Sequence, residues 1–588
     1  MSLTLPHHRI IAFLAASLLV LYSGALRADP PARVARLGYT AGAVSFSPAG
    51  DGDWVQANVN RTLVAGDRLW VDDGARAEIQ AGSAVIRLNE NSSVAVSAFD
   101  DRFTQLQLTR GTLNIRLRHL APDQTFEVGT PNLVLSLRNN GDYRVAVDPE
   151  LDATDVLVRR GQAQARALDV VQTIDSRQMY RFRGIDLGDF EFLDPPLPDE
   201  FDRWASDRDR AFDNSVSARY VSRDVVGYQD LDAHGYWQLD PTYGNVWVPT
   251  GVSANWSPYR EGHWAWIKPW GWTWVDDAPW GFAVSHYGRW NYFGSYWGWV
   301  PGPARARAYY APALVAFVGG DGFRLSLAGG NVGGVAWIPL APYEIYRPPY
   351  AVSRNYFDSV NRSNTILRQD VINNFYRNAP TQFEYANRLV SGAVVAVPRT
   401  TFVQSRPVSA AVVQLPQQVE VAASLAPPPS LGANESRARE VGERAAQPPA
   451  RVFERPVIGH VPGAARAVMN PSALPNLPAT SAQPQAPAMR AAPLPALAPP
   501  MPHRDFPARG GDLRGNNQRS SQRAAAAVAP AAPAPTTAAG PAPAQQRVVP
   551  AMPTRQPERP AAASRQPRPA SEPRHKLVDE HGIDSPGR

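Results

Sequence analysis

Between residues 34 and 184 apolar and polar positions alternate in short runs. Ala43-Val44-Ser45-Phe46, Ala84-Val85-Ile86-Arg87-Leu88, Leu113-Asn114-Ile115-Arg116-Leu117 and Tyr143-Arg144-Val145-Ala146-Val147 are examples. Turn-forming pairs separate them, among them Gly66-Asp67, Asp73-Gly74 and Asn140-Gly141. A period of two predicts strands, and strands this short and closely spaced predict an antiparallel β-sandwich or roll. The period changes after Pro195-Pro196. Phe201, Trp204, Ala205, Arg208 and Phe212 recur at helical spacing, so a short helix is expected over 199–215, packed against the block that follows.

That block, 235–301, holds 12 of the 16 tryptophans and repeats itself three times. Gly235-Tyr236-Trp237, Gly262-His263-Trp264 and Gly288-Arg289-Trp290 open the units, and Trp247-Val248-Pro249, Trp274-Val275-Asp276 and Trp299-Val300-Pro301 close them. The period leaves room for two strands and a turn, which predicts one β-hairpin per unit, with a weak fourth unit at Gly333-Gly334-Val335-Ala336-Trp337-Ile338-Pro339. The Trp-rich β domain is taken as 234–342, after a linker with the short helix over 195–233. Residues 343–415, aromatic and Asn-rich, are read as its closing unit. A framework needs the same side chain in every unit. The shared Trp237, Trp247, Trp264, Trp274, Trp290 and Trp299 are therefore expected to be buried. Trp266, Trp270 and Trp272 crowd the middle unit alone and are expected to be more exposed, as a ligand-binding surface.

From residue 416 the pattern stops. Pro, Ala and Arg dominate, and beyond Val421 there is no Trp or Tyr and only two phenylalanines, Phe453 and Phe506. Such a composition cannot bury enough to offset its ordering entropy, so a disordered tail is expected over 416–588. The tail also holds the positive charge: 20 Lys+Arg against 11 Asp+Glu beyond Val421, in a chain of net charge +6. These arginines are scattered rather than patched, and no nucleic-acid partner is expected. At the other end His7, His8 and Arg9 precede an apolar run from Ile10 to Tyr22 and small residues at Ala25 and Ala28. This reads as a signal peptide over 1–28, with no transmembrane segment after cleavage and a periplasmic or secreted mature protein. With no cysteine, neither a disulfide nor a lipid acceptor is available.

The segment 34–184 resembles the FecR domain family. The matching residues are Leu63-Val64-Ala65-Gly66-Asp67-Arg68-Leu69, Gly74-Ala75-Arg76-Ala77-Glu78-Ile79, Leu108-Thr109-Arg110-Gly111-Thr112-Leu113, Phe126-Glu127-Val128-Gly129-Thr130-Pro131 and Val158-Arg159-Arg160-Gly161. The resemblance implies an extracytoplasmic domain; its best known members relay an iron-uptake signal to a cytoplasmic sigma factor. Here only nine residues precede the apolar run, and Leu135-Ser136-Leu137-Arg138-Asn139-Asn140-Gly141 departs from the family's Val-Arg-Gly-Thr stretch, both of which speak against that relay. The tryptophan block in turn resembles a region that accompanies FecR-like domains in exported proteins of Gram-negative bacteria.

Candidate chemistry is sparse. No nucleophile elbow, phosphate loop or zinc motif occurs, and no cofactor is expected. His263, His286 and the Asp276-Asp277 pair are the best metal candidates, but Tyr236 and Arg289 replace His263 in the other units, and no metal site or catalytic residue is assigned. The aspartate pair is expected in a solvated turn. The function expected is that of a non-catalytic envelope scaffold or ligand-binding module, its partner an envelope protein or a glycan. The alternative is a carbohydrate-active enzyme with a tryptophan-lined cleft, and a FecR-type regulator ranks below both.

Overall fold

The computed structural model describes residues 28–319, 322–327, 330–378, 384–415, 428, 445–459 and 467–469. All lie in the first of the chain's two units, Met1–Pro487; the second, Ala488–Arg588, lies outside the described residues. So does the segment expected to be a signal peptide, apart from Ala28. Among the described residues no helix is long and apolar enough to cross a membrane.

Two sheets make the N-terminal domain, and one long strand, Phe103–Leu117, belongs to both. Its first half pairs with Ser92–Phe99 and, in parallel, with Thr125–Gly129; its second half pairs with Ala84–Leu88 and Gly141–Asp148. Strict alternation shows in Gly141–Asp148, where Tyr143, Val145 and Val147 point into the core between the sheets. The strands continue past residue 184 to Asp189–Leu193, so the expected sandwich is present and somewhat longer than its sequence pattern.

The outer face of the sheet that holds Ala84–Leu88 and Gly141–Asp148 is polar yet largely buried. Glu78, Arg87, Asn114 and Arg144 stand side by side on four neighbouring strands, each opposite the next. The helix Glu200–Asp213 covers this row. Asp199 caps it, accepting from the Asp202 N–H at 2.7 Å while the Asp202 carboxylate accepts from the Asp199 N–H at 3.2 Å. Asp202 also accepts from Asn114 (2.8 Å) and Arg144 (2.9 Å), and Arg208 grips Glu78 through two bonds of 2.7 and 2.9 Å. Asp209 takes Arg87 and Arg118. Here the expectation needs correction. The helix packs on the sandwich rather than on the tryptophan block, because its polar face complements the charged row; of its aromatics Phe212 reaches forward, to Tyr228 at 5.2 Å.

The tryptophan domain is built against the start of the sandwich. Val34 belongs to its core. Asn60 donates to the carbonyls of Asp276 (2.9 Å) and Ala278 (2.7 Å), and Thr62 and Tyr310 share a hydroxyl bond of 2.8 Å. Arg36, fully buried, pairs with Asp230 and lies over the Phe282 ring. The closing unit contributes Val395, Val397 and Phe402 to the same core. Its strand Val395–Pro398 pairs with Gly330–Pro339, which carries Trp337 of the weak fourth unit into the core. Its asparagines act as backbone clamps: Asn361 on Tyr346, Asn364 on the Gly288 N–H, and Asn387 on the carbonyls of Trp290 and Pro339. A buried amide serves here because it donates and accepts at once.

The tail expectation is corrected at one place. Most of 416–588 lies outside the described residues, but 445–459 is ordered against the sandwich. Averaging over a Pro/Ala-rich stretch hid a short apolar motif, Val452-Phe453 and Val457-Ile458.

Candidate functional site

Each repeat forms the predicted hairpin: Gly235–Asp240 with Gly244–Pro249, Gly262–Ile267 with Gly271–Asp276, and Arg289–Tyr292 with Trp297–Val300. The shared tryptophans face one another across the strands in all three: Trp237 with Trp247, Trp264 with Trp274, and Trp290 with Trp299. Directly opposed aromatics are the unit of sheet stabilisation. The opening glycine has a steric cause. A Cβ on Gly235, Gly262 or Gly288 would come within 2.4 to 2.6 Å of ring carbons of Trp247 or Trp274, or within 2.5 Å of the Trp299 indole nitrogen. In every unit, then, the second tryptophan lies over the first glycine. The units do not stack evenly, however. The first and third join into one four-stranded sheet through Trp247 and Trp299, and the middle hairpin stands apart.

Five of the six shared tryptophans use their indole N–H groups internally. Trp247 donates to the Leu231 carbonyl (3.1 Å), Trp290 to Val284 (3.0 Å), Trp299 to Tyr287 (2.8 Å) and Trp274 to the Asp276 carboxylate (2.8 Å). Five of the six shared tryptophans are buried as expected, and Trp237 is half-buried. Two of the three proposed ligand contacts require correction. Trp270 is 3% exposed and Trp272 2%, whereas Trp266 is 40% exposed. Tyr310 covers Trp270 at 5.0 Å, and Phe402, from the closing-unit helix Arg399–Val403, covers Trp272 at 4.5 Å. Both covers are remote in sequence, and no feature of the repeat announces them. Trp266 is left alone on the surface, edge-on to Trp272 at 5.4 Å.

Replacing Trp272 by alanine is therefore expected to cost about 3–5 kcal/mol, as for large aromatics removed from cores, while Trp266→Ala stays within about 1 kcal/mol. Urea melts of the two variants check this, and equal midpoints would contradict it.

The titratable candidates do not converge. Asp276 is buried, not solvated, and accepts from Trp274, the Ala278 N–H (3.0 Å) and the Ser285 hydroxyl (3.3 Å); Asp277 beside it is exposed. Burial pushes the Asp276 carboxyl up to about 7 against those three bonds. Burial likewise pushes Glu344 up to about 7, although it accepts from Ala341 and Ala386 N–H groups at 2.7 Å. His263 is lowered to about 4 by burial and by Arg61, and His286, whose Nδ1 meets the Ala311 carbonyl at 2.8 Å, is lowered to about 3 by burial. Among the described residues no group of three such side chains could hold a metal ion.

A pH dependence follows. A carboxyl whose folded pKa lies above its unfolded value near 4 contributes stability that is complete below about 4 and lost as pH rises to about 7. The two histidines act oppositely, contributing above about 6.5 and losing that as pH falls. Asp276→Asn should gain stability relative to the parent as pH rises from about 4 to 7. Parallel melting curves across that window would contradict it.

Comparison with known proteins agrees with the motifs. Residues 67–164 match the FecR protein family, and residues 228–344 match a family of unknown function, DUF6600. The chain thus carries a FecR domain followed by a region of unassigned role. No curated protein matches it in sequence. Two crystal structures of a proposed anti-sigma factor from Parabacteroides distasonis, at 2.50 and 1.65 Å resolution, are similar over 22% of this chain, at 14% and 13% identity. The match spans 59% of those chains with a TM-score of 0.20, which carries no argument about shared architecture or role.

Proposed function

We propose that the protein is a non-catalytic, exported binding protein of the FecR type, whose sandwich and tryptophan domain act together on a protein partner in the cell envelope. The observation that carries this reading is the internal use of the tryptophan domain's chemistry. Its paired tryptophans face each other and its buried carboxyls hold backbone N–H groups, so the block serves as a framework. Recognition then falls to the sandwich. Its strand Asp189–Leu193 pairs only with Gln178–Arg183 among the described residues, leaving an edge, and carries Phe190 (50% exposed) and Phe192 (56%). A free edge beside exposed aromatics suits strand addition by a protein better than stacking of a sugar. The FecR match favours a second reading, in which binding is relayed to a sigma factor.

A photo-crosslinking residue at Phe192 in living cells tests the first reading. A discrete protein adduct is expected, together with no release of reducing sugar when the purified protein meets peptidoglycan or other polysaccharides. Sugar release abolished by Asp277→Asn would contradict it. Deletion of the gene changing the transcripts of a sigma-factor regulon would favour the relay.

A further inference from the structure

The segment 445–459 is seated on the FecR domain in the manner of a bound peptide. Phe453 enters a pocket of Trp54, Trp70 and Ala95, its ring 5.1 Å from that of Trp54. The Arg68 guanidinium lies 5.4 Å from the Trp54 ring and 5.8 Å from that of Phe453. Val452 is buried beside it, and together these residues form an apolar cluster separate from the sandwich's own core. Beyond the anchor, Arg455 pairs with Asp152 at 3.1 Å, Ile458 packs against the sandwich, and further bonds involve main chain. The Ser45 hydroxyl donates to the Ala446 carbonyl at 2.7 Å and the Thr109 hydroxyl to that of Val452. Arg455 donates to the Thr109 carbonyl at 3.2 Å, and the Ile458 N–H to that of Thr130 at 2.9 Å. The floor is shaped for this approach: a Cβ on Gly129 would stand 2.7 Å from the Ile458 carbonyl oxygen. Pro448, Pro449 and Pro456 fix φ at three positions, which lowers the entropy lost on docking, and bonds from the Val452 N–H to the Pro449 carbonyl (3.2 Å) and from the Glu454 N–H to the Arg451 carbonyl (3.0 Å) turn the segment at its anchor.

We propose that this groove is a peptide-docking site of the FecR domain. Its ligand class is a proline-flanked apolar segment that presents an aromatic anchor from a turn, with an arginine two residues on, and its occupant is the chain's own 445–459. Because the anchor cluster is not part of the sandwich core, the domain holds its fold when the groove is empty. Release uncovers Trp54 and Trp70 to a partner segment of the same chemistry.

The test uses the full chain carrying Phe453→Ala and a fluorescent peptide of residues 445–459, followed by anisotropy. The peptide is expected to bind the variant and to bind the parent at least about tenfold more weakly, since a central aromatic anchor carries that much binding energy. A peptide carrying Phe453→Ala should not bind. Equal binding to parent and variant, or none to a variant with unchanged circular dichroism, would overturn the proposal. A parent dimer dissolved by Phe453→Ala would place a second copy in the groove and overturn the intramolecular occupancy. Independently of that variant, tryptic cleavage after Arg451 should be slow in the parent and at least about tenfold faster in Gly129→Ala. Unchanged cleavage would overturn the role given to the groove.

Discussion

Trp264→Ala should be among the most damaging single changes in the tryptophan domain, costing about 3–5 kcal/mol. The side chain has no solvent exposure and stands 5.2 to 5.5 Å, ring to ring, from Trp274, Trp337, Phe317 and Phe402. Those four rings come from the middle hairpin, the strands Gly330–Pro339 and Val315–Val318, and the helix Arg399–Val403. Removing Trp264 thus opens a cavity where these four elements meet. A urea midpoint lowered at unchanged slope is the expected result. A loss under about 1 kcal/mol would mean that the repeat's shared positions are not its framework.

The second large effect lies on the covered face of the sandwich. Glu78 and Arg87 are both 2% exposed and joined at 2.8 Å, with Arg208 of the helix on the same carboxylate. Burial would raise the Glu78 carboxyl, but the Arg208 bond and the charges of Arg87 and Arg208 overcome it and hold the group at about 2. Glu78→Gln removes the charge that Arg87 and Arg208 share, leaving Arg208 without its carboxylate and Arg87 with Asp209 alone. Breaking a buried pair from one side typically costs about 3–5 kcal/mol. The contribution of Glu78 is complete above its unfolded pKa near 4.3 and is lost as pH falls toward 2. The variant should therefore approach the parent in stability below about pH 3, and should free the Glu200–Asp213 helix to hydrogen exchange at neutral pH. A helix equally protected in both proteins would show that the ion pairs do not hold it.

Much of this architecture was legible in the sequence because it is local. Gly-x-Trp spacing carried the hairpins down to their cross-strand pairs, since the glycine answers the ring of the same unit. Alternation in Gly141–Asp148 carried the sandwich. What was hidden depends on partners far along the chain. Trp270 and Trp272 look spare within their repeat and become core through Tyr310 and Phe402. The charged side of the helix 200–213 reads as a solvated face until it meets Glu78, Arg87 and Arg144. Phe453 was visible as one of two phenylalanines in the tail, but a composition average cannot show a pocket waiting for it.

Sandwich and tryptophan domain are joined by Arg36 with Asp230, by Asn60 on the turn after Trp274, by Thr62 with Tyr310, and by Val34 in the second core. A binding protein that works as one body requires these contacts to couple the two folds. Scanning calorimetry of the full-length protein tests that most directly. One transition, with calorimetric and van't Hoff enthalpies equal, is the expected result, and Asn60→Ala should lower its midpoint without splitting it. Two separated transitions, only one of them shifted by Asn60→Ala, would contradict it.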